Sequence, residues 1–143
     1  MAAALATVEV SEDEIGRLVR AFYGRVRADP VLAPVFIATL GEGEAAWSAH
    51  EARLCRFWSS LMRRSGAYHG DPYSAHLGLR GLTPDMFAHW LALFGATCTD
   101  LFPPEVASSF VERAERVARS LRMGVFGSLS DPPTHAPSVG TAT

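Results

Sequence analysis

The segment Trp47–Leu61, WSAHEARLCRFWSSL, repeats large apolar side chains every three or four residues, which is the spacing of one face of an α-helix. His50 falls on that apolar face, so the helix would carry an imidazole toward the core. A second histidine, His76, lies downstream in a short segment flanked by loops. Burying a titratable ring costs free energy unless something satisfies its polar atoms. The segment therefore raises the question of what lies between the two imidazoles.

Three more segments have helical periodicity, and each begins or ends at a recognisable signal. One follows a capping box and stops at a proline, one begins with a threonine N-cap and a proline, and one opens on two prolines. These signals are Ser11 to Glu14 with Asp29-Pro30, Thr83-Pro84, and Pro103-Pro104. Residues 34–43 are interpreted as a connecting loop, and residues 63–81 leave room only for a short helical turn over Tyr73–Leu77. No stretch alternates as a strand would, so the predicted fold class is all-α.

One globular domain accounts for most of the chain. With 143 residues and 48% apolar content, the sequence is long enough to bury a sizeable core in a single unit. We place this domain at residues 1–127. Residues 128–143 contain three prolines and many small polar side chains, with too few apolar groups to offset the entropy of ordering the chain, and they are predicted to be a disordered tail.

The charge balance argues against nucleic acid as a partner. A formal net charge of −2 leaves no positive excess that could release counterions from a polyanion. No run approaches the roughly 18 apolar residues of a membrane span, and the apolar start of the chain has no basic leader. We therefore expect a cytoplasmic protein without a membrane partner.

Most familiar catalytic motifs are absent from the sequence. All 13 basic residues are arginine, so a Schiff-base or P-loop lysine is impossible. Leu54 stands where a zinc protease helix would need its second histidine, and the Glu-x-x-His spacing of a di-iron bundle is missing. Cys55 and Cys98 lie on apolar helix faces outside any CxxC pattern, and they are predicted to be reduced core residues.

What remains is a small set of polar groups on apolar helix faces. His50 and His76 offer imidazoles, while Tyr23 offers a hydroxyl and Trp90 an indole N–H. Haem fits such a pocket, because a flat apolar macrocycle gains from burial while its iron takes one axial histidine. The remaining histidines are interpreted as surface or tail residues and four aromatic residues as structural: His69, His89 and His135, and Trp47, Trp58, Tyr68 and Tyr73.

In the order and spacing of its motifs, the chain resembles the truncated haemoglobins, and specifically their third group. The resemblance runs from about Ile15 to Arg122 and rests on these blocks: Phe22-Tyr23 with Val26-Arg27 and Asp29, Leu32-x-Pro34-x-Phe36, Trp47-x-x-His50 with Phe57-Trp58, His76-Leu77, and Phe87-x-x-Trp90-Leu91-x-Leu93-Phe94. The Gly-Gly motifs of other truncated groups are missing, as is common in the third group. The resemblance implies a truncated globin fold, in which a two-on-two helical sandwich surrounds a haem pocket.

The resemblance also implies a role for each polar residue of the pocket. His76 would be the proximal ligand that binds the haem iron, in the short segment where the family's proximal helix is reduced. Tyr23 and Trp90 would donate hydrogen bonds to a ligand on the distal side, and His50 would gate its entry.

Other residues would contact the haem itself. Phe36 corresponds to the phenylalanine that packs on the haem face, and Leu54 and Phe57 correspond to apolar residues of the distal wall. Arg53 stands where the family often has a basic partner for a haem propionate. With Trp90 and the proximal histidine, these residues complete the predicted haem-binding set.

The resemblance also implies a function, that of a globin with haem b. Such a protein would reversibly bind O₂ and other small ligands such as CO, NO and cyanide. It would belong to the broad class of oxygen-binding and oxygen-transport proteins. Two donors to bound O₂, each worth roughly 1.5–3 kcal/mol, would slow its release a hundredfold or more. Such slow release argues against simple delivery and favours a sensor, a scavenger, or detoxification of reactive oxygen or nitrogen species. Peroxidase or NO dioxygenase activity is left open as a side activity.

The expected partners are diatomic gases and an unidentified reductase, and the expected state is a monomer. Arginines of the last helix could dock a reductase, although pairing with Glu112 and Glu115 explains them sufficiently. The alternative hypothesis is a haem-free helical interaction or sensor module, in which His50 and His76 bind nothing. Haem that copurifies with the chain would separate the two hypotheses.

Overall fold

The computed structural model describes residues 9–70, 72, 76 and 81–127, and within these ranges the regular structure is helical. Five helices follow one another along the described chain: α1 Glu12–Ala28, α2 Ala33–Leu40, α3 Glu44–Arg63, α4 Pro84–Leu101 and α5 Pro104–Phe126. The predicted all-α class is therefore confirmed. None of the described helices contains a stretch that is long and apolar enough to cross a membrane. The predicted tail, residues 128–143, and the first eight residues of the predicted domain lie outside the described residues.

Helix α1 begins at the predicted capping box. The Ser11 hydroxyl accepts a hydrogen bond from the Glu14 backbone N–H at 3.0 Å, and the Glu14 carboxylate accepts one from the Ser11 N–H at 2.8 Å. Two backbone donors that the first helical turn leaves free are thereby satisfied. At the same end of the helix, the Glu12 carboxylate accepts from the Ser59 hydroxyl of α3 at 2.7 Å. The start of α1 is therefore fixed both locally and against α3.

Helix α2 was not predicted, since residues 34–43 were interpreted as a loop. The Asp29 carboxylate accepts hydrogen bonds from the Val31 and Leu32 backbone N–H groups at 3.0 and 2.8 Å, which closes the turn that leads into the helix. Pro34 stands in the first turn of α2, where its fixed φ favours a helix and its missing N–H costs nothing. Asp29 and the proline thus start a helix that has little amphipathic pattern of its own.

The helices form two packed pairs. Helix α1 packs against α3, α4 packs against α5, and contacts between α1 and α4 join the pairs into the predicted two-on-two arrangement. Three rings stack through the centre: Phe94 lies 5.0 Å from Trp90, with 8° between the ring planes, and 5.2 Å from Trp58, with 15° between them. Phe94 is only 1% exposed, so this stack belongs to the core.

A hydrogen bond between Asp29 and His89 joins the turn before α2 to helix α4. The His89 Nε2 lies 2.8 Å from an Asp29 carboxylate oxygen, and the Asp29 side chain is only 13% exposed. His89 was interpreted as a surface or tail residue; its side chain is 39% exposed and makes this bond to Asp29. Burial acts to raise the pKa of Asp29, but hydrogen bonds from His89, Leu32 and Val31 outweigh it and hold that pKa below its usual value.

We expect Asp29→Ala to lower the free energy of unfolding by about 1–2 kcal/mol at neutral pH, because it leaves two backbone N–H groups without their acceptor and removes the bond to His89. A carboxylate whose folded-state pKa is depressed stabilises the fold above its unfolded pKa of about 3.9, and loses that contribution as the pH falls through the lower folded value. The difference between wild type and variant should therefore narrow below about pH 4.

Urea unfolding monitored by circular dichroism across this pH range measures the effect. Glu42→Ala, which removes an exposed carboxylate from the loop between α2 and α3, is the matched control and should change stability little. Equal losses in the two variants would contradict the structural role of Asp29.

Candidate functional site

His50 projects from α3 into a cluster of aromatic rings that three helices contribute. Its ring centroid lies 5.1 Å from Tyr23 of α1, 5.9 Å from Phe36 of α2 and 6.3 Å from Trp47 of α3, each in an edge-to-face contact. The Nε2 atom is buried and has no hydrogen-bond partner among the described residues. Such an orphaned polar atom costs free energy in a folded core, so its presence points to a group that the site is built to receive.

The electrostatic surroundings of His50 keep its ring neutral. Burial is the largest cause, followed by electrostatic interactions with Arg53 and His76, and together they lower the pKa of His50 to about 4. The Arg53 guanidinium lies at the mouth of this site, with its Nη2 atom 3.3 Å from the His50 Nδ1.

His76 is held in a single orientation by its own helical turn. Its Nδ1 lies 2.7 Å from the Pro72 carbonyl oxygen, which can only accept, so Nδ1 carries the proton and donates. The Nε2 lone pair is then left available, which is the tautomer that metal-binding histidines commonly adopt. The ring is half-buried and lies 6.4 Å from the Phe87 ring of α4. Of the predicted turn Tyr73–Leu77, only this residue lies among the described ones, and it is helical, as is Pro72.

Tyr23 and Trp90, the two predicted donors, lie in contact across the interface between α1 and α4. Burial raises the pKa of the Tyr23 hydroxyl far above its ordinary range, and the nearby Trp90 indole offsets only part of that rise. An indole N–H can only donate, and a tyrosine hydroxyl can donate its own proton, so both groups can offer a proton to an acceptor in this cluster. Phe22, which is 1% exposed, touches both rings, with centroids 4.8 Å from Tyr23 and 5.3 Å from Trp90.

The predicted apolar wall residues are incompletely covered by protein. Phe36, Leu54 and Phe57 pack against the buried core but are themselves only partly buried. The Phe57 ring contacts Tyr68 at 5.2 Å. Arg53 is exposed and lies against His50; its predicted pairing with a propionate stays a prediction. Apolar side chains that remain partly open beside an orphaned imidazole form a surface suited to an apolar group.

Sequence reasoning missed the part that Trp47 plays in this site. Trp47 was interpreted as structural, but its ring stacks on Phe36 at 6.1 Å and also contacts His50. Its indole donates to the Gly41 carbonyl oxygen at 2.8 Å, which fixes the ring. The signal was present in the sequence, because residues three apart on a helix share one face.

Other features of the described residues offer less chemistry. An open cavity of about 500 Å³ lies between the end of α4 and α5, lined by Phe102, Ala107, Val111 and Glu115 among others, and it includes none of the predicted site residues. Within the described residues, no group of three or more histidine, cysteine, aspartate or glutamate side chains could hold a metal ion. A site that uses one protein histidine, as haem does, needs no such group.

Comparisons with known proteins agree with this geometry. No protein-family model matches the sequence. A group 3 truncated haemoglobin of Campylobacter jejuni is 29% identical over 109 residues, which is 76% of this chain and 86% of that protein. The crystal structure of the group III truncated haemoglobin from Campylobacter jejuni matches with a TM-score of 0.79 at 27% identity, covering 84% of this chain and 94% of that one. Both similarities extend over most of each chain, so they concern the whole fold.

Phe94 lies in the core and Phe57 in the candidate site, so replacing each with alanine should lower the free energy of unfolding by different amounts. In the chain without added haem, we expect Phe94→Ala to lower the free energy of unfolding by about 3–5 kcal/mol, because it empties the centre of the ring stack. Phe57→Ala should cost clearly less, since that ring is only partly buried. Urea unfolding of both variants measures the difference, and an equal loss would show that Phe57 belongs to the core.

Proposed function

Because this chain belongs to the third group of the truncated haemoglobin family, we propose that it binds haem b through His76 and reversibly takes up O₂ and other small ligands beside His50. The observation that carries the proposal is that both predicted imidazoles have an Nε2 atom without a partner among the described residues. The Nδ1–H of His76 donates to the Pro72 carbonyl oxygen, which leaves the Nε2 lone pair of that ring available. The Nε2 atom of His50 is buried without a hydrogen-bond partner among the described residues. The family implies the haem cofactor, and the haem type is part of our proposal.

The residues present suit a macrocycle with one axial ligand. When bound, haem b would supply an iron that accepts one imidazole and one small ligand. His76 would hold it, since the bond to Pro72 fixes the ring and leaves Nε2 basic. Phe36, Leu54 and Phe57 would cover the apolar surface of the ring system, because each is an apolar side chain that protein leaves partly open. Arg53, exposed at the edge of the site, would be free to reach a carboxylate as well.

Tyr23 would stabilise a ligand in the pocket by donating its hydroxyl proton. The Trp90 indole, which packs on the same Phe22 ring as Tyr23, would be a second donor to that ligand. The raised pKa of Tyr23 keeps the hydroxyl protonated, so it donates throughout the physiological range. A donor to a partly charged ligand in a dry site is worth roughly 1.5–3 kcal/mol, which lengthens residence of the ligand.

Long residence favours sensing, scavenging or detoxification over delivery. We propose that CO, NO and cyanide share the site with O₂, and that a chain acting on reactive oxygen or nitrogen species does so with a separate reductase. A peroxidase or NO dioxygenase activity would be secondary to ligand binding. The chain is proposed to work as a monomer, because the groups named for the site all come from one chain.

The first test of the proposal is whether the chain carries haem. We expect the purified protein to show a Soret band that shifts on reduction and shifts again under CO, as a histidine-ligated haem does. Ultraviolet–visible spectra of the ferric, dithionite-reduced and CO-bound samples provide the measurement. A chain that stays colourless even after titration with haemin would overturn the proposal and favour the haem-free helical module.

We expect His76→Gly to lose stable haem and to regain a histidine-like spectrum when free imidazole is added, because it removes the proposed ligand and leaves space for its replacement. His69→Gly is the matched control, since His69 is an exposed histidine in the same connection between α3 and α4. It should retain the wild-type spectrum. A histidine-ligated spectrum in His76→Gly without imidazole would assign the ligand to another residue.

We expect Tyr23→Phe to speed O₂ release at least about tenfold, because one hydrogen bond to the ligand is lost. Trp90→Phe should also speed release, since it removes the indole donor. Stopped-flow displacement of O₂ by CO measures both rates. Tyr68→Phe, which removes a tyrosine hydroxyl outside the proposed donor set, should release O₂ as the wild type does, and unchanged rates in both donor variants would disprove the role of the donors.

A further inference from the structure

The Arg53 guanidinium contacts one ring nitrogen of His50. The guanidinium Nη2 lies 3.3 Å from the His50 Nδ1, and the two residues stand one helical turn apart on α3. An arginine side chain has five N–H donors and no acceptor, so in this contact Nδ1 must accept. A neutral imidazole whose Nδ1 accepts carries its proton on Nε2.

We propose that Arg53 is a positioning residue that holds His50 in the Nε2–H tautomer, so that the orphaned Nε2 atom is a hydrogen-bond donor inside the pocket. The functional effect of this tautomer rests on the proposed function, because a donor in the pocket acts only on a ligand that binds there. The contact itself is a property of α3 and does not depend on bound haem.

Among the described residues, the other groups around His50 form no hydrogen bond that would select its tautomer. The ring is enclosed by Tyr23 from α1, Phe36 from α2 and Trp47 from α3, and these reach it through ring contacts. Among the described residues, no carboxylate forms an ion pair or hydrogen bond with His50. The charged or titratable groups that face it are Arg53 on its own helix, Tyr23 on α1 and His76 in the connection to α4.

The same contact opposes protonation of His50. A protonated ring has no acceptor at Nδ1, so adding a proton breaks the bond to Arg53 and sets two positive charges side by side. Burial of the ring acts in the same direction. Arg53 therefore both selects the tautomer and keeps the ring neutral.

The tautomer defines the class of ligand that the site favours. An Nε2–H donor stabilises a ligand whose outer atom has a lone pair or a partial negative charge, and it adds to the donor that Tyr23 supplies. With the proton on Nδ1, the Nε2 lone pair would face such a ligand and repel it. Loss of Arg53 is therefore expected to weaken binding of acceptor ligands without removing any pocket residue.

Long-range ¹H–¹⁵N NMR spectra of the histidine rings test the proposal on the full-length, ¹⁵N-labelled chain. The sample is reduced and kept under CO, so that any haem iron is diamagnetic while a haem-free chain is unaffected; His50→Gln identifies the signals of His50 among the five histidines. In the wild type we expect Nε2 protonated and Nδ1 bare. In Arg53→Met we expect a detectable Nδ1–H fraction, and an upward shift of the His50 protonation midpoint by about one pH unit.

Two further variants separate positioning from a general effect of charge. Arg53→Lys keeps a positive donor and should restore the wild-type tautomer, whereas Arg56→Met removes an exposed arginine one turn away on α3 and should leave His50 unchanged. A wild-type ring protonated on Nδ1, or an Arg53→Met spectrum identical to wild type, would overturn the proposal. Because the ring signals are read with or without haem, absence of a Soret band would contradict the proposed function while leaving the tautomer result interpretable.

Discussion

The burial of Phe22 holds the candidate site together. Its ring is 1% exposed and lies within 5.3 Å of Tyr23, Trp90 and Phe94, so one side chain of α1 joins the two helical pairs. Its neighbour Tyr23 is also buried, because consecutive helical residues point about 100° apart and α1 packs against α2 and α3 as well as α4. Because α1 is buried on two sides, it can place the Tyr23 hydroxyl in the interior while the adjacent Phe22 packs between the two helical pairs.

Much of the fold could be predicted from the sequence, because the signals that mark where its helices begin are local. The capping box at Ser11 and the prolines that open α4 and α5 act within one turn, so the sequence displays them directly. Helix α2 was missed since its eight residues, APVFIATL, are mostly apolar with little period, and glycines follow them. The pairing of His89 with Asp29 spans 60 positions, and no local pattern reveals such a contact.

The family and the two-on-two fold expected from the order of motifs are confirmed, while the residue roles stay predictions. The structure brings His50, Tyr23 and Trp90 together as those roles require. It adds contacts that one sequence shows poorly, such as the Pro72 carbonyl that orients His76. The Arg53 contact was within reach of sequence reasoning because i,i+3 spacing on a helix permits it, but the resemblance directed attention to a propionate instead.

The hydrogen bond between Asp29 and His89 connects two elements that carry residues of the candidate site. Asp29 closes the turn that starts α2, and α2 carries Phe36; His89 directly precedes Trp90 on α4. The hydrogen bond between Asp29 and His89 thus joins the element that carries Phe36 to the element that carries Trp90, outside the cluster that faces His50. A substitution of Asp29 or His89 can therefore alter the relative placement of these two elements, and through it the proposed ligand binding, with every pocket side chain left in place.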